Sequence, residues 1–141
     1  MKAFEASAAI DAPASAVWAA LTDADHFPEW DSGVVRVEGR IAPGETIKVV
    51  SKINPNRTFP VKVTAFEPAR RMRWTGGMPL GLFKGERTFT LEPAGERSTR
   101  FHMREEFTGP LLPLIGRSLP DLGPTFQQFA RDLKARAEAS A

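Results

Sequence analysis

Hydrophobic and polar positions alternate from the start of the chain. Phe4, Ala6, Ala8 and Ile10 fall on one side and Glu5 and Ser7 on the other, the period of two of a half-buried strand over residues 3–10. Asp11-Ala-Pro13 ends the alternation: Asp11 suits a helix N-cap and Pro13 an early helical position. Val17, Trp18 and Leu21 then follow helical spacing, and Thr22-Asp23 closes this short helix. A second helical turn is predicted over Asp25 to Trp30, with Phe27 and Trp30 three apart and able to pack, and with Pro28 limiting its length.

Residues 33–108 read entirely as strand and turn. Val35 and Val37 alternate with Arg36 and Glu38, and Gly39 to Gly44 makes a turn. Thr46 to Ile53 is the next strand, and Asn54-Pro55-Asn56 bends the chain again. Phe59, Val61, Val63 and Ala65 share one face, with Lys62 and Thr64 on the other. After Glu67-Pro68-Ala69, Met72 and Trp74 alternate with Arg71 and Arg73. Gly76-Gly77-Met78-Pro79 is a loop. Phe83, Gly85, Arg87, Phe89 and Leu91 then form the inward set of a long strand, a hairpin turn spans Pro93 to Arg97, and Phe101, Met103, Glu105 and Phe107 form the inward set of its partner. Turns recur without an intervening helix, so the strands form an antiparallel meander.

The tail changes period. Leu111 to Leu122 is apolar but broken by Pro113, Gly116 and Pro120, which predicts one or two irregular helical turns: either a hinged gate over an opening or a fixed connection. From Pro124 the stripe Leu122, Phe126, Phe129 and Leu133 marks an amphipathic helix about 22 Å long. The helix and the sheet each have one apolar face to cover, so the economical arrangement is helix across sheet, an α+β fold. A sheet curled round a straight rod leaves a gap, and that gap is an apolar cavity. Gly85, mid-strand and inward, allows the curl.

Composition narrows the function. The 141 residues fit one domain over 1–141, large enough to bury roughly two-thirds of the surface its unfolded chain exposes. The absence of cysteine removes disulfides, thiolate metal sites and cysteine nucleophiles, and the absence of tyrosine removes a tyrosine general acid. With 19 basic and 17 acidic residues the formal charge is +2, too balanced to point to nucleic acid; Arg70, Arg71 and Arg73 read as a solvated strand face. No secretory leader is read at the N-terminus and no stretch approaches the ~20 apolar residues of a membrane span, so stable membrane insertion is not expected and the localisation expected is cytoplasmic. Oligomeric state is left open.

Candidate chemistry is sparse. Arg87 and Glu105 interrupt apolar inward sets on two strands joined by a hairpin. If Phe89 lies opposite Phe101, Arg87 faces Met103 and Glu105 is one diagonal away, so the pair can meet inside the cavity and orient a polar substituent or polarise a carbonyl. The alternative is a structural ion pair. His102 should face solvent, and His26 lies near an expected cavity mouth. No His or carboxylate spacing suggests a metal, and no Gly-x-Ser-x-Gly elbow or phosphate loop is present, so no cofactor is expected. The inward aromatic and sulfur side chains Phe59, Trp74, Phe83, Phe89, Met103, Phe126 and Phe129 line the cavity or fill the core, and Trp30 is the candidate for the pocket rim.

The phrase Ala-Pro-Ala-Ser-Ala-Val-Trp-Ala-Ala-Leu-Thr-Asp over residues 12–23 is joined by Phe27-Pro-Glu-Trp30, by Arg70-Arg-Met-Arg-Trp74, by Phe89-Thr-Leu-Glu-Pro93 and by Leu133-Lys-Ala-Arg-Ala-Glu138. In that order the text resembles the START-like, or SRPBCC, superfamily, in the polyketide cyclase/dehydrase and lipid-transport branch. The resemblance implies a helix-grip fold, about seven strands wrapped round a C-terminal helix, and a cavity for a small hydrophobic molecule. It does not imply one reaction. Three functions follow: a binding or transport protein for a small apolar or amphipathic, lipid- or polyketide-like ligand; a cyclase or dehydratase in which Arg87, Glu105 or ordered water moves protons; and a protein-interaction module resembling heat-shock ATPase activators.

Overall fold

A computed structural model of the chain describes residues 2–52, 55–117 and 121–140. The strands are β1 (Lys2–Ile10), β2 (Val34–Glu38), β3 (Thr46–Ser51), β4 (Phe59–Glu67), β5 (Arg71–Gly77), β6 (Lys84–Gly95) and β7 (Ser98–Thr108). The helices are α1 (Ala14–Thr22), α2 (Phe27–Trp30), α3 (Leu112–Ile115) and the long α4 (Gly123–Ser140), with a single 3₁₀ turn at Ala24–His26 ahead of α2. The sheet runs β1-β7-β6-β5-β4-β3-β2 and is antiparallel throughout. It is therefore the expected meander from β2 to β7, with β1 returning to pair with the last strand.

The inner face carries the alternation read from the sequence. Ile10, Met72, Phe89, Phe101 and Met103 are fully buried, and Phe126, Phe129, Ala130, Leu133 and Ala137 of α4 are buried against the same cluster. Three aromatic contacts knit the centre: Phe27 to Trp30 at 4.7 Å, Trp74 to Phe89 at 5.0 Å and Trp30 to Phe129 at 5.3 Å between ring centroids. Their displaced, tilted geometries are those aromatic pairs prefer.

Three local expectations are corrected, and a fourth falls outside the described residues. In β2 the register shifts between Val34 and Arg36, so the buried valines are Val34 and Val37 rather than Val35 and Val37. In β4 it shifts between Thr64 and Glu67; Ala65, at φ 48, is exposed, and Phe66 packs on Trp18 with ring centroids 5.2 Å apart. Both shifts are bulges, which a period-two reading cannot register because one extra residue flips every later side chain. Asp11 does not cap α1: Pro13 occupies that position, its carbonyl accepts from the Ala16 and Val17 amides, and the Asp11 amide donates instead to Glu138 of α4 at 2.9 Å. Finally, β3 is assigned only as far as Ser51, so the expected strand ending at Ile53 and the turn at Asn54 fall on residues outside the described ones. The gate expected over 111–122 likewise includes residues 118–120, outside the description; within it, α3 is a single turn whose Leu111 amide donates to the Leu82 carbonyl at 3.0 Å.

Helix α4 also touches both margins of the sheet. Lys134 Nζ donates to the Ala9 carbonyl of β1 at 2.7 Å, while Asp132 accepts from the Ser32 amide at 2.9 Å and its hydroxyl at 2.6 Å, just before β2. Among the described residues no helix is long and apolar enough to cross a membrane.

Candidate functional site

Between the N-terminal half of α4 and the β2–β3 end of the sheet lies a cleft of about 470 Å³. Its floor is apolar, from Val34, Val49, Met103, Phe126 and Phe129, and its rim is polar, from Asp31, Ser32, Ser51, Lys52, Arg87 and Gln128. The floor exists because the α4 stripe and the inward residues of β2, β3 and β7 converge where the sheet curls away from the rod.

Arg87 is the most constrained polar group. It stands directly opposite Glu105 in the β6–β7 ladder. Its Nε donates to Glu105 Oε1 at 2.7 Å, and its guanidinium carbon sits 4.8 Å from the centroid of the Phe126 ring. A carboxylate on one side and an aromatic face on the other fix the fork at the wall of the cleft, which Arg87 lines. The pair meets as expected, but not by the expected register: Phe89 faces Met103, and Leu91 faces Phe101. The hairpin is tighter than read, with Gly95 paired to Ser98 and a bulge between Pro93 and Gly95.

Asp31 was not singled out by its sequence. It ends α2, lines the cleft and is buried, with Oδ1 accepting the Gly33 amide at 3.0 Å. Burial raises its carboxyl above the ordinary value of 3.8; the Gly33 hydrogen bond and the charges of Arg87 and Lys52 pull the other way, while Asp132 adds to the rise. The loop holding it is pinned from both sides, by Asp132 on Ser32 and by the Lys52 amide, which donates to the Gly33 carbonyl at 3.1 Å.

The other residues singled out from the sequence separate into distinct places. Arg87, Met103, Phe126 and Phe129 line the cleft, and Glu105 backs it through Arg87. Trp30, expected at the rim, is instead buried behind Phe129, and Trp74 and Phe89 lie in the packed centre with it. The Trp30 and Trp74 indole N–H groups are both buried with no hydrogen-bond partner among the described residues. Phe83 stacks on Phe107 at 5.7 Å outside the cleft lining, and Phe59 is part-exposed at the start of β4 with Arg57 over its ring. His26 does not line the cleft; its Nδ1 lies 2.7 Å from Asp23, whose hydrogen bond raises the imidazole pKa. His102 faces outward, 3.5 Å from Glu5. Among the described residues no three His, Asp or Glu side chains are grouped to hold a metal ion.

A curled seven-stranded sheet gripping a C-terminal helix over an amphipathic cleft defines the START-like class. Within it, the chain belongs to the family described as polyketide cyclase / dehydrase and lipid transport, whose profile matches residues 1–138. No curated protein matches the chain. Among solved structures, it is similar to protein MLL2253 from Mesorhizobium loti, with TM-score 0.76, 19% identity and 99% of each chain covered. It is also similar to a START superfamily protein from Mycobacterium smegmatis, with TM-score 0.71, 16% identity and 99% of each chain covered. A third is the di-domain ARO/CYC BexL from the BE-7585A biosynthetic pathway, with TM-score 0.74 and 18% identity over 98% of this chain and 47% of that one. At these identities the likeness is one of fold.

Proposed function

We propose that the chain binds a small amphipathic molecule in the α4 cleft, its apolar body on Met103, Phe126 and Phe129 and a polar oxygen on the guanidinium of Arg87. The observation that carries this reading is the fixed Arg87 fork above an aromatic floor, in a cleft of about 470 Å³, well within the range of small-molecule sites. The family description, which couples polyketide chemistry with lipid transport, supports the ligand class.

Native mass spectrometry of the freshly purified chain is expected to show a co-purified small molecule. Titration with 1-anilinonaphthalene-8-sulfonate, whose anion and fused rings match the two halves of the cleft, tests the polar contact. Arg87→Gln combined with Glu105→Gln keeps a neutral pair in place and is expected to weaken the dye about tenfold, the scale of a charged hydrogen bond. Unchanged dye affinity, together with no co-purified molecule, overturns the reading.

A cyclase or dehydratase function is the second reading, and Asp31 is the observation that favours it. A buried carboxylate with a raised pKa shares the cleft with a fixed cation, so Asp31 is suited to take a proton while Arg87 stabilises the oxygen that becomes negative. If the chain dehydrates its ligand, an Asp31→Asn preparation carries a molecule heavier by one water than the unaltered chain does. The same molecule on both preparations leaves the chain a carrier. The interaction-module reading draws little from the outer sheet face, because among the described residues four of the five exposed large apolar side chains lie off the strands and only Phe59 begins one.

A further inference from the structure

Among the described residues five large apolar side chains are exposed, and four of them, Met78, Leu80, Leu82 and Leu114, belong to two adjoining turns at one end of the sheet. The turn between β5 and β6 and the turn from β7 into α3 are bound together: the Leu111 amide donates to the Leu82 carbonyl at 3.0 Å, and Gly109 is packed so closely that a Cβ there would lie 2.5 Å from the same oxygen. Leu80 is the apex. It is 97% exposed, and its backbone is left-handed at φ 62 and ψ 20, a conformation that glycine adopts freely and leucine does not. A strained leucine held in water has no explanation in the folding of this chain, since glycine would make the same turn with less strain and less exposed apolar surface.

Cations flank the two joined turns. Lys84 follows the turn directly, and Lys2 and Arg117 border a shallow groove with Leu112 and Pro113 of α3. The acids nearby are paired: Glu86 lies 3.2 Å from Lys84 and 3.4 Å from Arg73, and Glu106, opposite it in the ladder, lies 3.1 Å from Arg104. An exposed apolar tip beside basic side chains fits a surface that is soft, apolar within and anionic outside. It does not fit a second copy of the chain, because four exposed side chains fall well short of the roughly 800 Å² each partner of a stable dimer buries.

We propose that the joined β5–β6 and β7–α3 turns dock the protein peripherally on an anionic lipid bilayer, Leu80 and Leu114 entering the interface and Lys2, Lys84 and Arg117 facing the lipid headgroups. The proposal stands apart from the cleft: it needs no particular ligand there.

Co-sedimentation of the full chain with vesicles of phosphatidylcholine alone, and of phosphatidylcholine with about one quarter phosphatidylserine, tests it. Binding is expected on the anionic vesicles, weaker on the neutral ones, and lost with added salt. Lys84→Glu is expected to weaken it at least fivefold, the scale of one cation at an anionic surface, and Leu80→Asp with Leu114→Asp at least tenfold. Leu80→Gly separates docking from folding: it should raise the thermal midpoint by releasing the strained backbone and yet lower vesicle binding. Equal binding to both vesicle types, or a Leu80→Gly chain that binds as well as the original, overturns the proposal. So does a concentration-dependent dimer that the leucine substitutions dissolve, which makes a second copy the occupant of the tip.

Discussion

Asp31 carries the sharpest consequence at the scale of a single residue. Its carboxyl is raised above 3.8, mainly by burial, so over the interval from 3.8 up to its folded value the native chain holds more protons than the unfolded chain does. Its contribution to stability is whole below 3.8 and is lost as pH rises through the folded value. Asp31→Asn should remove that loss: its melting temperature at neutral pH should equal or exceed that of the unaltered chain, and the advantage should vanish in acid. A melting temperature that falls equally at both pH values shows instead that the carboxylate is needed for the Gly33 turn. The polar side of the cleft was only half legible beforehand. Arg87 and Glu105 stood out because they interrupt apolar inward sets, whereas nothing in the spacing of Asp31-Ser-Gly33 singled it out. The available clue was its setting: a three-residue polar link between buried Trp30 and buried Val34 must run close to the interior. Trp30 misled for the related reason that a helix-terminal tryptophan is equally suited to rim and core, and only the position of Phe129 decides between them.

At the scale of elements, periodicity located every strand and the long helix, because a half-buried strand and an amphipathic helix write their burial directly into residue spacing. The bulges at Val34 to Arg36 and Thr64 to Glu67, and the shortened β6–β7 hairpin, were not legible, since each depends on which partner residue the opposite strand offers. Glycines at the β5–β6 end show how the ladder terms are met. Gly77 has φ 141, and a Cβ there would lie 2.2 Å from the Phe83 carbonyl, whereas Gly44 has φ 77 with open space around it. Gly77→Ala should therefore cost more than about 1 kcal/mol in urea unfolding, from strain and collision together, and more than Gly44→Ala, which meets strain alone. Equal costs refute the close approach of β5 and β6 at that point.

The whole molecule is an unclosed sheet with two free margins, β1 and β2, and the sequence pattern placed α4 across its inner face without indicating that α4 would also hold those margins. Lys134 bonds the Ala9 carbonyl, Glu138 takes the Asp11 amide, and Asp132 takes Ser32. Each is an exposed polar contact, and such contacts add little to global stability. Glu138→Ala should accordingly leave the melting temperature nearly unchanged while hydrogen exchange at the Asp11 amide accelerates. An Asp11 amide that exchanges equally fast in both chains shows that the bond does not persist in solution.

These latches have an effect beyond roofing the cleft. An unlatched strand margin is a template on which another chain can add itself, and one rod here ties down the end of β1 and the link into β2. Cutting the chain before Gly123 would therefore not produce an open-mouthed receptor; it would release those strand ends and bare the greasy lining together, and the sheet left behind should associate with its own copies. The terminal helix thus shields strand ends as well as the apolar lining.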